Sequence, residues 1–359
     1  MLDFQSRESD LRSICRTWLG PRAVELEQLD SGGFSGSAVI RVRGPGGDGG
    51  FVLKSFSAPT PRARIEWIHR LMRHLRAAGI AEVAEVMMTP GGDTIAVDAT
   101  GRSWELVRFV AGSATDSPTL PQSQAALNCL ARVHVAAAAI SSAPLHWEVP
   151  AAVQRRVEHA QRLLAAPWCG PLQGAPRELT PLQRAVWDLR DRAAEAFEAA
   201  AGTAAVQRVA AVRPRPLPVQ AVLRDIWCDH VLYDPIHPDR VAGMIDLHAA
   251  AIDTPATDLA RLVGSWRRAL GTSLRARWGE ALAAYELVRP LREGERSLVP
   301  WLHATGVVCG LDNWFRWSLA EAREFVRPGQ ALERMERLLD QVPECLDELN
   351  TAAPPEFDR

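Results

Sequence analysis

The sequence predicts an α+β protein of two unequal lobes: a small antiparallel β-sheet carrying one main helix, then a larger, mostly α-helical lobe. Three observations predict it. Between Val24 and Val110, short β-rich runs are separated by glycine-rich turns. After Gly112 the chain changes to Ala-, Leu- and Arg-rich stretches of helical periodicity. Residues 213–218, Arg-Pro-Arg-Pro-Leu-Pro, then interrupt the helices and lead into two brief β-like runs with charged residues at their ends.

In order, the β-rich runs are 24–29, 38–42, 51–56, 85–88, 94–97 and 104–109. Ile65, Ile68, Leu71, Met72 and Leu75 recur at helical spacing and stop at Gly79, which predicts one helix packed on the sheet. Beyond the junction, helices are expected at about 121–141, 150–165, 180–204, 256–287 (two helices), 294–321 and 329–349, with strands at 231–233 and 241–245. The expected division is an N-terminal lobe 1–110, a helical lobe 111–351 containing a functional loop at 223–248, and a frayed tail 352–359.

With 359 residues, 47% of them hydrophobic, the chain can bury one or two sizeable cores. A net charge of −2 supplies no general attraction for nucleic acid or for an anionic membrane, so neither is expected as a partner. The first residues are charged and no apolar stretch approaches membrane-spanning length, which points to the cytoplasm. Six cysteines without a CxxC pair suggest neither a zinc site nor a disulfide framework. A nucleophilic Cys228 is conceivable but lacks a His–Asn arrangement beside it.

Lys54 is the only lysine among 41 basic residues. Its survival in an arginine-dominated chain suggests a task for a compact ammonium on a flexible stem, such as gripping nucleotide phosphates from a strand. Upstream, Ser31-Gly32-Gly33-Phe34-Ser35-Gly36-Ser37 offers backbone N–H groups made accessible by Gly33 and Gly36 and a hydroxyl from Ser35; taken alone, this segment reads more readily as a glycine-bearing hairpin turn. Val52 shares a face with Lys54 and would line an apolar purine slot. Glu66 is the one acidic residue between Lys54 and Gly79. It is either the carboxylate that positions Lys54 or a solvated helix residue satisfied by Arg62 and Arg70.

Asp225 precedes the 231–233 strand and Asp246 follows its hairpin partner, so a tight turn brings the two carboxylates side by side. Phosphoryl transfer needs such a pair, one accepting the proton of the attacking hydroxyl and the other holding the metal that bridges the phosphates. Asp258, in the first turn of a later helix, is either a favourable helix-terminal charge or a brace behind the Asp225 loop.

Taken in order, the 31–37 loop, Lys54, Arg108-Phe109-Val110-Ala111-Gly112, Leu130-Ala131-Arg132-Val133-His134, the Asp225 loop, Ile245-Asp246 and residues 253–260 resemble the aminoglycoside phosphotransferase and choline kinase-like family, over roughly residues 20 to 270. The resemblance implies a protein-kinase-like two-lobed fold, ATP with Mg2+ as cofactors, and a hydroxyl group on a small molecule as acceptor. It further implies Lys54 on the α- and β-phosphates with Glu66 as its partner, the backbone of Arg108 and Val110 on adenine, Asp225 as catalytic base and Asp246 as metal ligand.

The family's loop usually begins His-Gly-Asp and carries Asn five residues after the Asp. Here the residues are Leu223-Arg224-Asp225 and His230. Imidazole suits Mn2+ or Zn2+ better than Mg2+, so His230 is read as a ligand for a softer ion, a partner of Asp225 or a phosphate contact, with Asp229 as a substitute oxygen donor. Two readings follow: an ATP-dependent phosphotransferase acting on a sugar, amino alcohol or aminoglycoside-like alcohol, and a catalytically impaired pseudokinase that binds nucleotide or metabolite. Residues 312–317, Asp-Asn-Trp-Phe-Arg-Trp, offer aromatic faces to an acceptor but read more readily as core. Oligomeric state is not legible.

Overall fold

The computed structural model describes residues 8–22, 24–29, 37–44, 50–56, 60–140, 146–165, 179–267, 273–323, 325, 327–353 and 355. The loop carrying Gly33, Ser35 and Gly36 therefore lies outside the described residues.

The N-terminal part comprises α1 (Glu8–Leu19), β1 (Glu25–Gln28), β2 (Val39–Arg43), β3 (Phe51–Ser55), α2 (Arg62–Ala77), β4 (Ala96–Val97) and β5 (Ser103–Arg108). Its sheet is antiparallel with strand order β1-β2-β3-β5-β4. Residues 85–88, expected as a strand, make only an isolated bridge between Val86 and Val107. One edge of β5 is taken along its length by β3, and the other is divided between this segment and β4, which leaves neither room to extend.

α2 forms where its apolar positions predicted it: Ile65, Ile68, Leu71, Met72 and Leu75 are all buried. It ends in a Schellman motif, with Gly79 at φ +86° donating to the Arg76 carbonyl and Ile80 donating to the Leu75 carbonyl. The opposite sheet face is covered by α1, which places Leu11, Ile14, Cys15 and Trp18 against Ile40, Val42, Leu53 and Leu106. This helix was not anticipated, although its four buried residues stand at i, i+3, i+4 and i+7.

The larger lobe runs through α3 (Leu120–Ala138), β6 (His146–Glu148), α4 (Ala151–Ala165), α5 (Pro181–Ala199), α6 (Gly202–Ala210), β7 (Leu217–Val222), β8 (Val231–Tyr233), β9 (Val241–Met244), β10 (Ala251–Asp253), α7 (Ala256–Ser265), α8 (Leu274–Glu286), α9 (Glu293–Phe315), α10 (Pro328–Leu339) and α11 (Val342–Thr351). Two expected helices are each split in two. The 180–204 helix breaks at Ala201, which takes φ +51°, and the 329–349 helix breaks where Pro343 opens α11. The proline-rich stretch delivers β7, which pairs antiparallel with both β6 and β10.

The lobes meet at a strap. Ser113 and Tyr233 exchange backbone hydrogen bonds of 3.1 and 2.9 Å, joining the segment after β5 to the β8–β9 hairpin. Two glycines permit this approach: a Cβ at Gly112 would lie 2.8 Å from the Tyr233 carbonyl oxygen, and one at Gly243 would lie 2.6 Å from Val110 Cγ1. Nearby, Met244 N–H donates to the Glu82 carbonyl at 2.7 Å, tying β9 to the N-terminal lobe. Among the described residues no helix is long and apolar enough to cross a membrane.

Candidate active site

A cleft of about 360 Å³ opens between the β-sheet and the β8–β9 hairpin. Val39, Val52, Ala84, Val107, Leu232 and Ile245 give it an apolar slot, while Lys54, Glu105, His230, Asp246 and His248 line its polar end. Val52 and Lys54 both reach it because strand alternation sends them to one face of β3 while Leu53 points into the core beneath α1. Arg108 and Val110 sit along the rim. The Arg108 N–H is held by the Glu85 carbonyl at 2.8 Å and the Phe109 N–H by the Gly50 carbonyl at 3.0 Å. The Val110 N–H takes no partner among the described residues, so it is available to a ring nitrogen in the slot.

Lys54 Nζ lies 2.5 Å from Asp246 Oδ1, and the lysine side chain is only 12% exposed. Asp246 is held in the left-handed conformation, φ +61°, at the turn leading out of β9. Burial pushes its carboxyl up in pKa, but Lys54, then His248 and His230, outweigh burial and hold it below its ordinary value. Glu66 is not the partner of Lys54. It pairs with Arg62 at 2.8 Å on the solvent side of α2, where both side chains are about half exposed. A helix residue four positions from an arginine on an open face is satisfied locally and has no reason to turn toward the sheet.

The carboxylate beside Lys54 in the sheet is Glu105, its cross-strand neighbour on β5. Glu105 is buried and accepts from two imidazoles, His69 Nε2 at 2.7 Å and His248 Nε2 at 2.6 Å. Burial alone would raise its pKa; His248 and His69 outweigh that and keep it well below the ordinary carboxylate range. His248 stacks on Phe56 with ring centroids 4.1 Å apart. This cluster ties α2, the sheet and the segment after Asp246 into one unit. The sequence carried a signal for it, a glutamate inside the apolar strand Trp104-Glu105-Leu106-Val107, where an isolated charge is costly.

Asp225 lies on the loop after β7, and that loop is braced from behind. Asp258, fully buried in the first turn of α7, accepts from the backbone N–H groups of Leu223 at 2.7 Å and Arg224 at 2.6 Å, and from His134 Nε2 at 2.9 Å. The bracing reading of Asp258 is thus the one the geometry supports. Arg224 adopts φ +64°, a conformation that costs a non-glycine residue about 1 kcal/mol. Asp225 Oδ1 accepts from Trp227 Nε1 at 2.7 Å and faces Arg261 Nε at 3.6 Å, while Oδ2 has no hydrogen-bond partner among the described residues. The carboxylate is half exposed.

His230 joins the two acidic segments. Its Nδ1 lies 2.8 Å from the Asp225 carbonyl oxygen, an acceptor only, so Nδ1 carries the proton and donates. Nε2 is thereby turned toward Asp246 Oδ2, 3.9 Å away. A single cation about 2.1 Å from each would touch both. Among the described residues no three His, Cys, Asp or Glu side chains converge as a ready-made metal site, so further donors would come from a bound ligand or water. Asp229 is exposed at the cleft edge. Cys228 is buried, and desolvation raises its thiol pKa, which argues against a nucleophile. In the 312–317 segment, Trp314 and Phe315 are buried in the helical core and Asp312 bonds His159 at 2.5 Å.

Residues 26–291 match the phosphotransferase enzyme family. A homoserine kinase from Brucella anthropi is 27% identical over 258 residues, covering 71% of this chain and 68% of that protein. Among solved structures, an AMP-bound spectinomycin phosphotransferase superposes with a TM-score of 0.63 at 11% identity, covering 96% of this chain and 98% of the other. An amicoumacin kinase in complex with AMP-PNP, Ca2+ and Ami gives a TM-score of 0.60 at 10% identity, covering 95% of this chain and 97% of the other. The fold is therefore the protein-kinase-like one expected, and with three quarters of its length matched, the chain belongs to the phosphotransferase enzyme family.

Proposed function

We propose that the protein is an ATP-dependent phosphotransferase that moves the γ-phosphate to a hydroxyl of a small molecule, with residues 1–110 as nucleotide lobe and 111–351 as acceptor lobe. The observation that carries this reading is the Lys54–Asp246 pair at 2.5 Å, linked through His230 to the Asp225 loop. Without nucleotide, each charge compensates the other. Lys54 would hold the α- and β-phosphates of a bound nucleotide and Asp246 would hold a divalent cation. The nucleotide and Ca2+ bound to the amicoumacin kinase, and the homoserine kinase likeness, support both cofactors and the class of acceptor.

The residues fit such a cation: a hard carboxylate from Asp246, an imidazole nitrogen from His230, and open space for phosphate oxygens. When bound, the cation supplies charge neutralisation across the phosphates. The remaining steps belong to the chain. Asp225, oriented by Trp227 and the Asp258 brace, accepts the acceptor's hydroxyl proton on its open oxygen. Val110 N–H and the Val52 slot hold the base, and Gly33, Ser35 and Gly36, outside the described residues, are assigned to the phosphates.

His230 is the specific observation favouring the second reading, a pseudokinase module, because imidazole replaces a hard oxygen donor. Metal-dependent ATP turnover over a panel of alcohols, wild type against Asp225→Asn, separates the two. Acceptor-dependent turnover lost in the variant supports the enzyme; an ATP-induced rise in melting temperature without turnover above the variant supports the module.

A further inference from the structure

A second cleft of about 140 Å³ shares no lining residue with the first, and its charged lining is entirely arginine: Arg155, Arg156, Arg224, which precedes Asp225 in the chain, and Arg261, whose Nε lies 3.6 Å from Asp225. It continues past Trp227, His303 and Gln341 into a wider opening of about 460 Å³ that adds Arg267, Arg277, Arg334 and Arg337 together with Asp340 and Glu344. Trp227 organises the centre. Its Nε1 donates to Asp225, while the guanidinium carbons of Arg334 and Arg261 stand 3.6 and 4.5 Å from its ring.

The charges here are not balanced. Arg155 is matched by Asp253 at 3.1 Å, and Arg261 has only Asp225, at 3.6 Å. Arg224 and Arg334 have no carboxylate partner among the described residues, and Arg156 Nε is buried with no hydrogen-bond partner. Buried guanidinium donors are normally paired. Desolvation, joined by neighbouring arginines, lowers the pKa of Arg224, Arg261 and Arg334. Arg224 also holds a left-handed backbone conformation that glycine would adopt without strain, a cost that makes sense if the side chain is used. Of the carboxylates around this cluster, Asp225, Asp253 and Asp258 are engaged by Trp227, by Arg155 and by the loop backbone, Glu344 accepts from the Leu274 N–H, and Asp229 and Asp340 are exposed at its edge.

Resting on the phosphotransferase reading, we infer that the acceptor is an anionic alcohol, a hydroxy acid or a phosphorylated alcohol, whose oxyanion is gripped by Arg156, Arg224 and Arg334 while its hydroxyl meets Asp225. Planar guanidinium forks match carboxylate and phosphate alike, and a polycationic acceptor would be repelled. In the transfer, the acceptor oxygen bonds to the γ-phosphorus as the bond to the β–γ bridging oxygen breaks. ADP leaves with that electron pair, and the hydroxyl proton passes to Asp225.

The test uses the full-length protein in two arms. In the first, inorganic phosphate and acetate are titrated by calorimetry at constant ionic strength against wild type, Arg334→Gln and Arg156→Gln, with ADP binding measured alongside. In the second, turnover is compared within matched acceptors: neutral and amino alcohols against hydroxy acids of similar size, and sugars against their phosphates. Anion binding weakened at least about tenfold in both variants with unchanged ADP affinity, and an anionic member preferred by about 100-fold in kcat/KM, is the expected result. Which anion binds, and which pair discriminates, tells carboxylate from phosphate. Equal or better use of neutral or cationic members, or anion affinity indifferent to both substitutions, overturns the inference. If wild type binds no ADP, the phosphotransferase reading falls instead, and the anion titration still decides the cleft. Should one variant not fold, the other and the wild-type acceptor comparison suffice.

Discussion

Lys54 and Asp246, 192 residues apart in the chain, meet at 2.5 Å across the cleft between the β-sheet and the β8–β9 hairpin. Neither charge is comfortable alone, since the lysine side chain is only 12% exposed and burial opposes ionisation of Asp246. Replacing Lys54 with Met is expected to abolish the ADP-induced rise in melting temperature and to lower turnover by about 100-fold or more. Lys54→Arg is expected not to restore it, because the guanidinium is too broad for the same niche. Normal ADP binding by Lys54→Met, measured calorimetrically, would remove the lysine from the phosphate site.

Asp225→Asn keeps an acceptor oxygen for Trp227 Nε1 but loses the base. Turnover is expected to drop about 10²- to 10⁴-fold with ADP affinity within twofold of wild type. Steady-state kinetics and calorimetry on the same preparation check both halves.

His230→Asn exchanges an imidazole nitrogen for an amide oxygen beside Asp246. The ratio of activity with Mg2+ to activity with Mn2+ is expected to rise by about tenfold. An unchanged ratio would exclude His230 as a ligand and leave it the tether between Asp225 and Asp246.

Asp258→Ala removes a fully buried acceptor from two loop N–H groups and from His134. The stranded donors are expected to cost about 3 kcal/mol, read as a lower denaturation midpoint, and the loosened loop to lower kcat more than it raises KM.

His159 supplies a pH dependence away from the cleft. Burial opposes its protonation, but the hydrogen bond to Asp312 at 2.5 Å, with Cys309 alongside, outweighs burial and raises its pKa from 6.5 to about 9. A pKa raised on folding stabilises the native state fully below about 6.5, and that stability is lost as pH climbs through about 9. Denaturation between pH 6 and 9.5 is expected to show stability falling by at most about 3 kcal/mol, and His159→Gln to flatten that decline.

Local pattern was enough to single out Lys54, Val52 and Asp246, which line one cleft, and α2, because alternation, helical spacing and turn chemistry are properties of neighbouring residues, whereas Asp225 lies outside that lining. The sheet order was not legible, nor was the reduction of 85–88 to one bridge, which follows from competition for the edges of β5. The misassignment of Glu66 has the same origin. From the chain alone it was the one carboxylate within reach of Lys54, whereas Glu105, further on, becomes a neighbour only through strand pairing.

The amino-acid order by itself determined the α+β class, the family and the chemical character of the cleft, since these depend on residue type and short spacing. Tertiary structure decided who pairs with whom: Asp246 with Lys54, Glu105 with two histidines, Asp258 with the Asp225 loop, and unmatched arginines around Trp227. Ion pairing and desolvation act over a few ångströms, and folding sets those separations with little regard for distance along the chain.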